Sequence, residues 1–96
     1  LGKEHVRQIA EIQLLRLDER LQDHDLSLHL TDTAKDLLVE EGFDPVYGAR
    51  PLKRAIQRHL ENPLAQKLLA GDFLPGQIIL TDVEDAKLIF GVASKH

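Results

Sequence analysis

The chain has 96 residues, 43% of them hydrophobic, enough for one compact core and too few for two, so residues 1–96 read as a single domain. Cysteine is absent, which removes disulfides, thiolate metal ligands and a thiol nucleophile, and fits a reducing compartment with the cytoplasm as the expected location. With 12 Lys and Arg against 16 Asp and Glu, a formal net charge of −4 and 4% aromatic content, no nucleic-acid partner is expected: basic excess and stacking rings are both missing.

From about Lys3 to Asp23, Val6, Ala10, Leu14, Leu17 and Leu21 recur at spacings of three and four, predicting an amphipathic helix whose stripe faces a core. Ile9, Ile12 and Leu15 wind away from that stripe, so they either pack on a second side of the domain or meet something outside it. This charged opening is unlike a signal peptide, and no apolar run approaches the roughly 20 residues that span a bilayer; a soluble domain with no membrane partner is expected. Leu26-Ser27-Leu28-His29-Leu30 alternates as a half-buried strand does, with Ser27 and His29 on the wetter face. Thr31 suits the N-cap of a second helix, with Ala34, Leu37, Leu38 and Glu41 along one side and Gly42 at its C-terminal stop.

Asp44-Pro45 marks a turn, and Tyr47-Gly48 leads to a helix with Pro51 at its first position, where a missing N–H does no harm. Pro51 also biases Arg50 towards extended backbone angles. Leu52, Ala55, Ile56 and Leu60 give this helix an apolar side, while Arg50, Arg54 and Arg58 share another face at i, i+4 spacing, partly neutralised by Glu61. Asn62-Pro63 repeats the cap-then-proline pattern, predicting a stop or sharp bend and a shorter helix to Ala70 that buries Leu64, Ala65, Leu68 and Leu69 and ends at Gly71. Leu74-Pro75-Gly76 is a type II turn signal. It precedes a strand over residues 77–81, a loop over 82–86 and a strand over 87–92, which together predict an antiparallel hairpin, with residues 93–96 fraying. The order predicts a two-layer α+β domain in which about four helices cover a small three-stranded mixed sheet; the long crossover allows the first two strands to be parallel.

Helix N-termini are electropositive and normally attract Asp or Glu, yet the third helix opens with Arg50, Lys53 and Arg54, each misplaced cation costing about 0.3–1 kcal/mol. An anion supplied from outside would account for the cluster; the alternative is a solvated face of ion pairs. Arg50 is the leading candidate, because a planar, permanently charged fork suits a terminal phosphate. No G-x-x-x-x-G-K-[ST] loop is present, so the chain alone is not expected to hold and hydrolyse ATP. His5, His24, His29, His59 and His96 lack metal-ligand spacing, and Ser27 and Ser94 lack a nucleophile elbow, so neither a metal site nor a hydrolase triad is expected.

The run Phe43-Asp44-Pro45-Val46-Tyr47-Gly48-Ala49-Arg50-Pro51-Leu52-Lys53-Arg54-Ala55-Ile56-Gln57, followed by Glu61-Asn62-Pro63-Leu64-Ala65, resembles the C-terminal small subdomain of the second AAA+ module of Clp-family ATPases, most closely the ClpB-type disaggregases. The likeness extends over nearly the whole chain. It implies that Gly48-Ala49-Arg50 is the nucleotide-binding sensor II motif, with Arg50 reaching the γ-phosphate of an ATP held with Mg2+ mainly by a large subdomain outside these residues. It also implies that Ile9 or Ile12 faces the adenine, and that ATP or ADP state changes the angle between subdomains. The implied partners are the large AAA+ subdomain of the same chain, a neighbouring protomer in a homohexamer and, through the parent protein, a DnaK-type chaperone system and aggregated polypeptide. Lys53, Arg54 and Arg58 are left as ion-pair or interface residues. Two alternatives stay open: the same subdomain of a ClpC-type unfoldase that feeds a protease, and a nucleotide-independent interaction module whose basic helix docks an acidic protein.

Overall fold

The N-terminal helix α1 (Lys3–Gln22) buries Val6, Ala10, Leu14, Leu17 and Leu21, the same residues that the three-and-four spacing selects. The computed structural model describes residues 2–94. After α1 come β1 (Ser27–Leu30), α2 (Asp32–Gly42), α3 (Leu52–Ile56), a π turn (Gln57–Glu61), α4 (Asn62–Leu69), β2 (Gln77–Glu84) and β3 (Lys87–Ser94). The strands lie in the order β1-β2-β3, with β1 parallel to β2 and β2 antiparallel to β3, so the α+β fold with a mixed sheet is as expected. Helix α1 packs on β1 and α2, and α2 in turn packs on β2 and α3. Leu38, Leu52, Ile56, Leu60, Leu64 and Ile79 join the α1 stripe in one core.

Polar contacts set the register of these layers without supplying most of the stability. Arg7 of α1 pairs with Asp32 and Asp36 of α2, and Lys35 of α2 pairs with Glu11 of α1. Exposed pairs of this kind contribute about 0–1 kcal/mol each, against about 1.5–3 kcal/mol for each fully buried aliphatic side chain, so the apolar seam dominates. Asp18 accepts a hydrogen bond from the Leu28 amide at 2.7 Å, tying α1 to the first strand. Thr31 caps α2 as predicted, its Oγ1 accepting from the Ala34 amide at 3.1 Å. Gly76, at φ +88°, completes the predicted type II turn, closed by the Gln77 amide donating to the Leu74 carbonyl.

Several elements depart from expectation. Gly42 does end α2, but what it needs is space: a Cβ there would lie 2.6 Å from Leu52 Cδ1 and 2.8 Å from Leu52 Cα, so its lack of a side chain lets α2 close on α3. The buried side of α2 comprises Ala34, Leu38, Val39 and Gly42, with Leu37 half-buried and Glu41 exposed. Asn62-Pro63 does not stop the helix. A proline ring clashes with the carbonyl four residues back and removes a donor, and the chain answers by widening one turn: the Asn62 amide donates to the Gln57 carbonyl, five residues earlier, and α4 follows without a break. In α4 only Leu64 is buried; Ala65 and Leu69 face outward.

The hairpin is longer than the expected strands. Residues 82–84 continue β2, and the connection shrinks to Asp85-Ala86, both at positive φ (53° and 61°), the geometry of a type I′ turn matched to sheet twist. Ala93 and Ser94, expected to fray, pair with Ile78 and Gln77; Lys95 and His96 lie outside the described residues. Among the described residues no helix is long and apolar enough to cross a membrane.

Candidate functional site

Between α2 and α3 the chain folds into a small closed loop. Asp44 and Gly48 exchange both backbone hydrogen bonds, at 2.8 and 2.7 Å. The Asp44 side chain accepts from the Val46 amide at 2.7 Å and the Tyr47 amide at 3.0 Å, a local turn that aspartate favours and that fits the rigid Pro45. Gly48 takes φ +66°, a conformation glycine enters without a Cβ penalty. The Arg50 amide then donates to the Tyr47 carbonyl and the Leu52 amide to the Ala49 carbonyl, so the loop winds directly into α3. Buried Leu52, Ala55 and Ile56 anchor that helix to the core.

On the outer side of this junction, Arg50, Lys53 and Arg54 line one cleft together with Asp44, Tyr47 and Gln57. The motif Gly48-Ala49-Arg50 grades from buried through half-buried to exposed: its first two residues fix the backbone and its third enters the cleft rim. Arg50 Cζ lies over the Tyr47 ring, 5.1 Å from its centroid.

The face of ion pairs expected as the alternative for the basic helix is not what the structure shows. Among the described residues, Arg50, Lys53, Arg54 and Arg58 form no ion pair. Of the nearby carboxylates, Asp44 holds the loop amides, Glu61 pairs with Arg20 at 3.5 Å and Glu41 lies 3.8 Å from His59 Nε2. The expected row of three arginines also splits. Arg58 sits in the widened turn and borders a separate depression with Glu41 and His59, while Arg54 borders both.

Ile9 is half-buried against the core, and Ile12 is 54% exposed; neither lines the cleft with Arg50. Asp44 and Tyr47, read from sequence only as parts of a turn, prove to be cleft residues. The signal available for them was the spacing itself, Asp44-Pro45 followed after one residue by Tyr47-Gly48, with Arg50 two residues beyond the glycine. Among the described residues, no group of three or more His, Cys, Asp or Glu is placed to hold a metal ion.

Fold and cleft together define a small mixed-sheet α+β module in which a closed loop and the helix that follows it present Arg50, Lys53 and Arg54 without an ion pair among the described residues. A family model described as the C-terminal, D2-small domain of ClpB protein matches residues 1–81, and the chain belongs to that family. It is 58% identical over 88 residues to the chaperone protein ClpB of Vibrio cholerae serotype O1, covering 92% of this chain and 10% of that protein. The corresponding values are 58% over 91 residues for ClpB of Pseudomonas putida (95% and 11%) and 55% over 91 residues for ClpB 1 of Thermosynechococcus vestitus (94% and 10%). The chain thus spans about a tenth of the length of the curated relatives it matches.

Proposed function

We propose that this chain is the nucleotide-sensing lid and oligomerisation subdomain of an ATP-dependent protein disaggregase, in which Arg50 contacts the ATP γ-phosphate. The observation that carries the reading is Arg50 on a closed loop, without an ion pair among the described residues, in a cleft that holds two further cations and whose carboxylate, Asp44, is engaged by loop amides. ATP with Mg2+ would be bound mainly by the large AAA+ subdomain of the same protein, and the chain by itself, lacking a phosphate-cradling loop, would not hydrolyse it. Arg50 then adds a charge-assisted contact that exists only while the γ-phosphate is present, biasing a hinge by its differential energy. A charge-assisted hydrogen bond worth about 1.5–3 kcal/mol shifts a two-state ratio roughly ten- to a hundredfold, enough to act as a switch.

The rest of the assignment follows the same reading. Ile12, apolar and exposed, and Ile9 beside it are the adenine-facing candidates. The neighbouring protomer of a homohexamer would meet the exposed side of the domain, and the ring would act in the cytoplasm on aggregated polypeptide with a DnaK-type partner. The ClpB name shared by the relatives above favours the disaggregase over the protease-feeding unfoldase. Replacing Arg50 with Ala in the full-length ATPase should slow ATP turnover or detach nucleotide state from assembly. Unchanged ATP affinity, turnover and hexamer formation would overturn the assignment.

A further inference from the structure

We infer that Tyr47 is the positioning residue for Arg50, its ring acting as a platform that holds the guanidinium at the cleft mouth with donors free for a terminal phosphate. The inference rests on the assignment of Arg50 to the γ-phosphate. Tyr47 is 61% exposed and takes no part in the hydrophobic core, so packing does not explain a large aromatic side chain at this position. Its backbone is fixed from both ends: its amide donates to Asp44 and its carbonyl accepts from the Arg50 amide, within a loop closed by the paired Asp44 and Gly48. Only Gly48 and Ala49 separate the two residues in this constrained loop, and Arg50 Cζ lies over the ring, 5.1 Å from its centroid.

Two physical effects make such a platform useful. Arginine has large rotamer freedom, which ordering must overcome, and the cleft holds two further cations, Lys53 and Arg54, against one carboxylate, Asp44, so its net charge disfavours a third cation. The negative face of the ring opposes both. A guanidinium has five N–H donors, and a ring occupies one side of it, so platform and phosphate can be engaged together.

The test is a cycle of variants in the full-length ATPase that carries this domain, with steady-state MgATP turnover as the readout. Tyr47→Leu should lower kcat about two- to fivefold, the worth of an exposed cation–π contact expressed as a rate ratio. Tyr47→Phe keeps the ring face and should retain the parent rate, and Tyr47→Leu should cause no additional loss once Arg50→Ala is present. A parent-like rate for Tyr47→Leu, an equal loss in Tyr47→Phe, or an undiminished Tyr47→Leu loss in the Arg50→Ala background would each overturn the platform. The Arg50→Ala variant alone reports on the parent assignment. If it loses turnover while the Tyr47 variants do not, the platform fails and the phosphate contact stands; if it keeps full turnover with unchanged ATP affinity and hexamer formation, the phosphate contact itself fails.

Discussion

The segment from Pro51 to Leu69 has two sides that obey different rules. Towards the sheet, Leu52, Ile56, Leu60 and Leu64 are at most 2% exposed and belong to one core. Towards solvent, Lys53, Arg54 and Arg58 are exposed cations without an ion pair among the described residues. The identities on the first side are set by volume and shape inside this chain. Those on the second contribute no packing that the domain needs, so they are free to be shaped by a surface lying elsewhere.

That division can be tested by substitution. The largest effect should come from Leu60→Ala, which empties a fully buried site in the π turn and should lower stability by about 2–5 kcal/mol, read as a shifted urea midpoint at unchanged slope. Gly42→Ala should follow, at about 1–3 kcal/mol, because the new methyl meets the Leu52 backbone as well as its movable side chain. Arg50→Ala and Arg54→Ala should each change stability by less than about 0.5 kcal/mol in the same urea titration, whatever they do to the parent ATPase. A loss above about 1 kcal/mol from either arginine would break the comparison, since it would mean that the solvent side also supports the fold.

What could be read from sequence was local in origin. The α1 stripe, the Thr31 cap and the Pro75-Gly76 turn each depend on a few neighbouring residues, and each is where the pattern put it. The stop expected at Asn62-Pro63 does not occur, because the pattern counts only the hydrogen bonds of one turn. Keeping both Leu60 and Leu64 in the core favours a widened turn over a broken helix, and that balance lies in tertiary packing. The hairpin was underestimated for a different reason: Asp82 and Glu84 look like loop residues, although Ile79, Thr81 and Val83 continue the inward alternation and their charged neighbours point away from the core. Within the candidate site, the Gly48-Ala49-Arg50 motif was legible, while the engagement of Asp44 by loop amides and the Tyr47 ring beneath Arg50 required the folded loop.

The widened turn has one more consequence, in helical phase. Such a turn accommodates about one residue more than an α-turn, and each residue of an α-helix advances the azimuth by about 100°. Deleting a single residue between Gln57 and Glu61 would therefore restore regular spacing and leave Leu64 facing the core, whereas forcing the full-length segment into α-turns would rotate everything downstream by that angle and carry Leu64 off the core. The widened turn works as a phase keeper: by absorbing the extra residue it holds the azimuth of α4, and of the turn into β2, against the cationic cleft at the other end of the same helix.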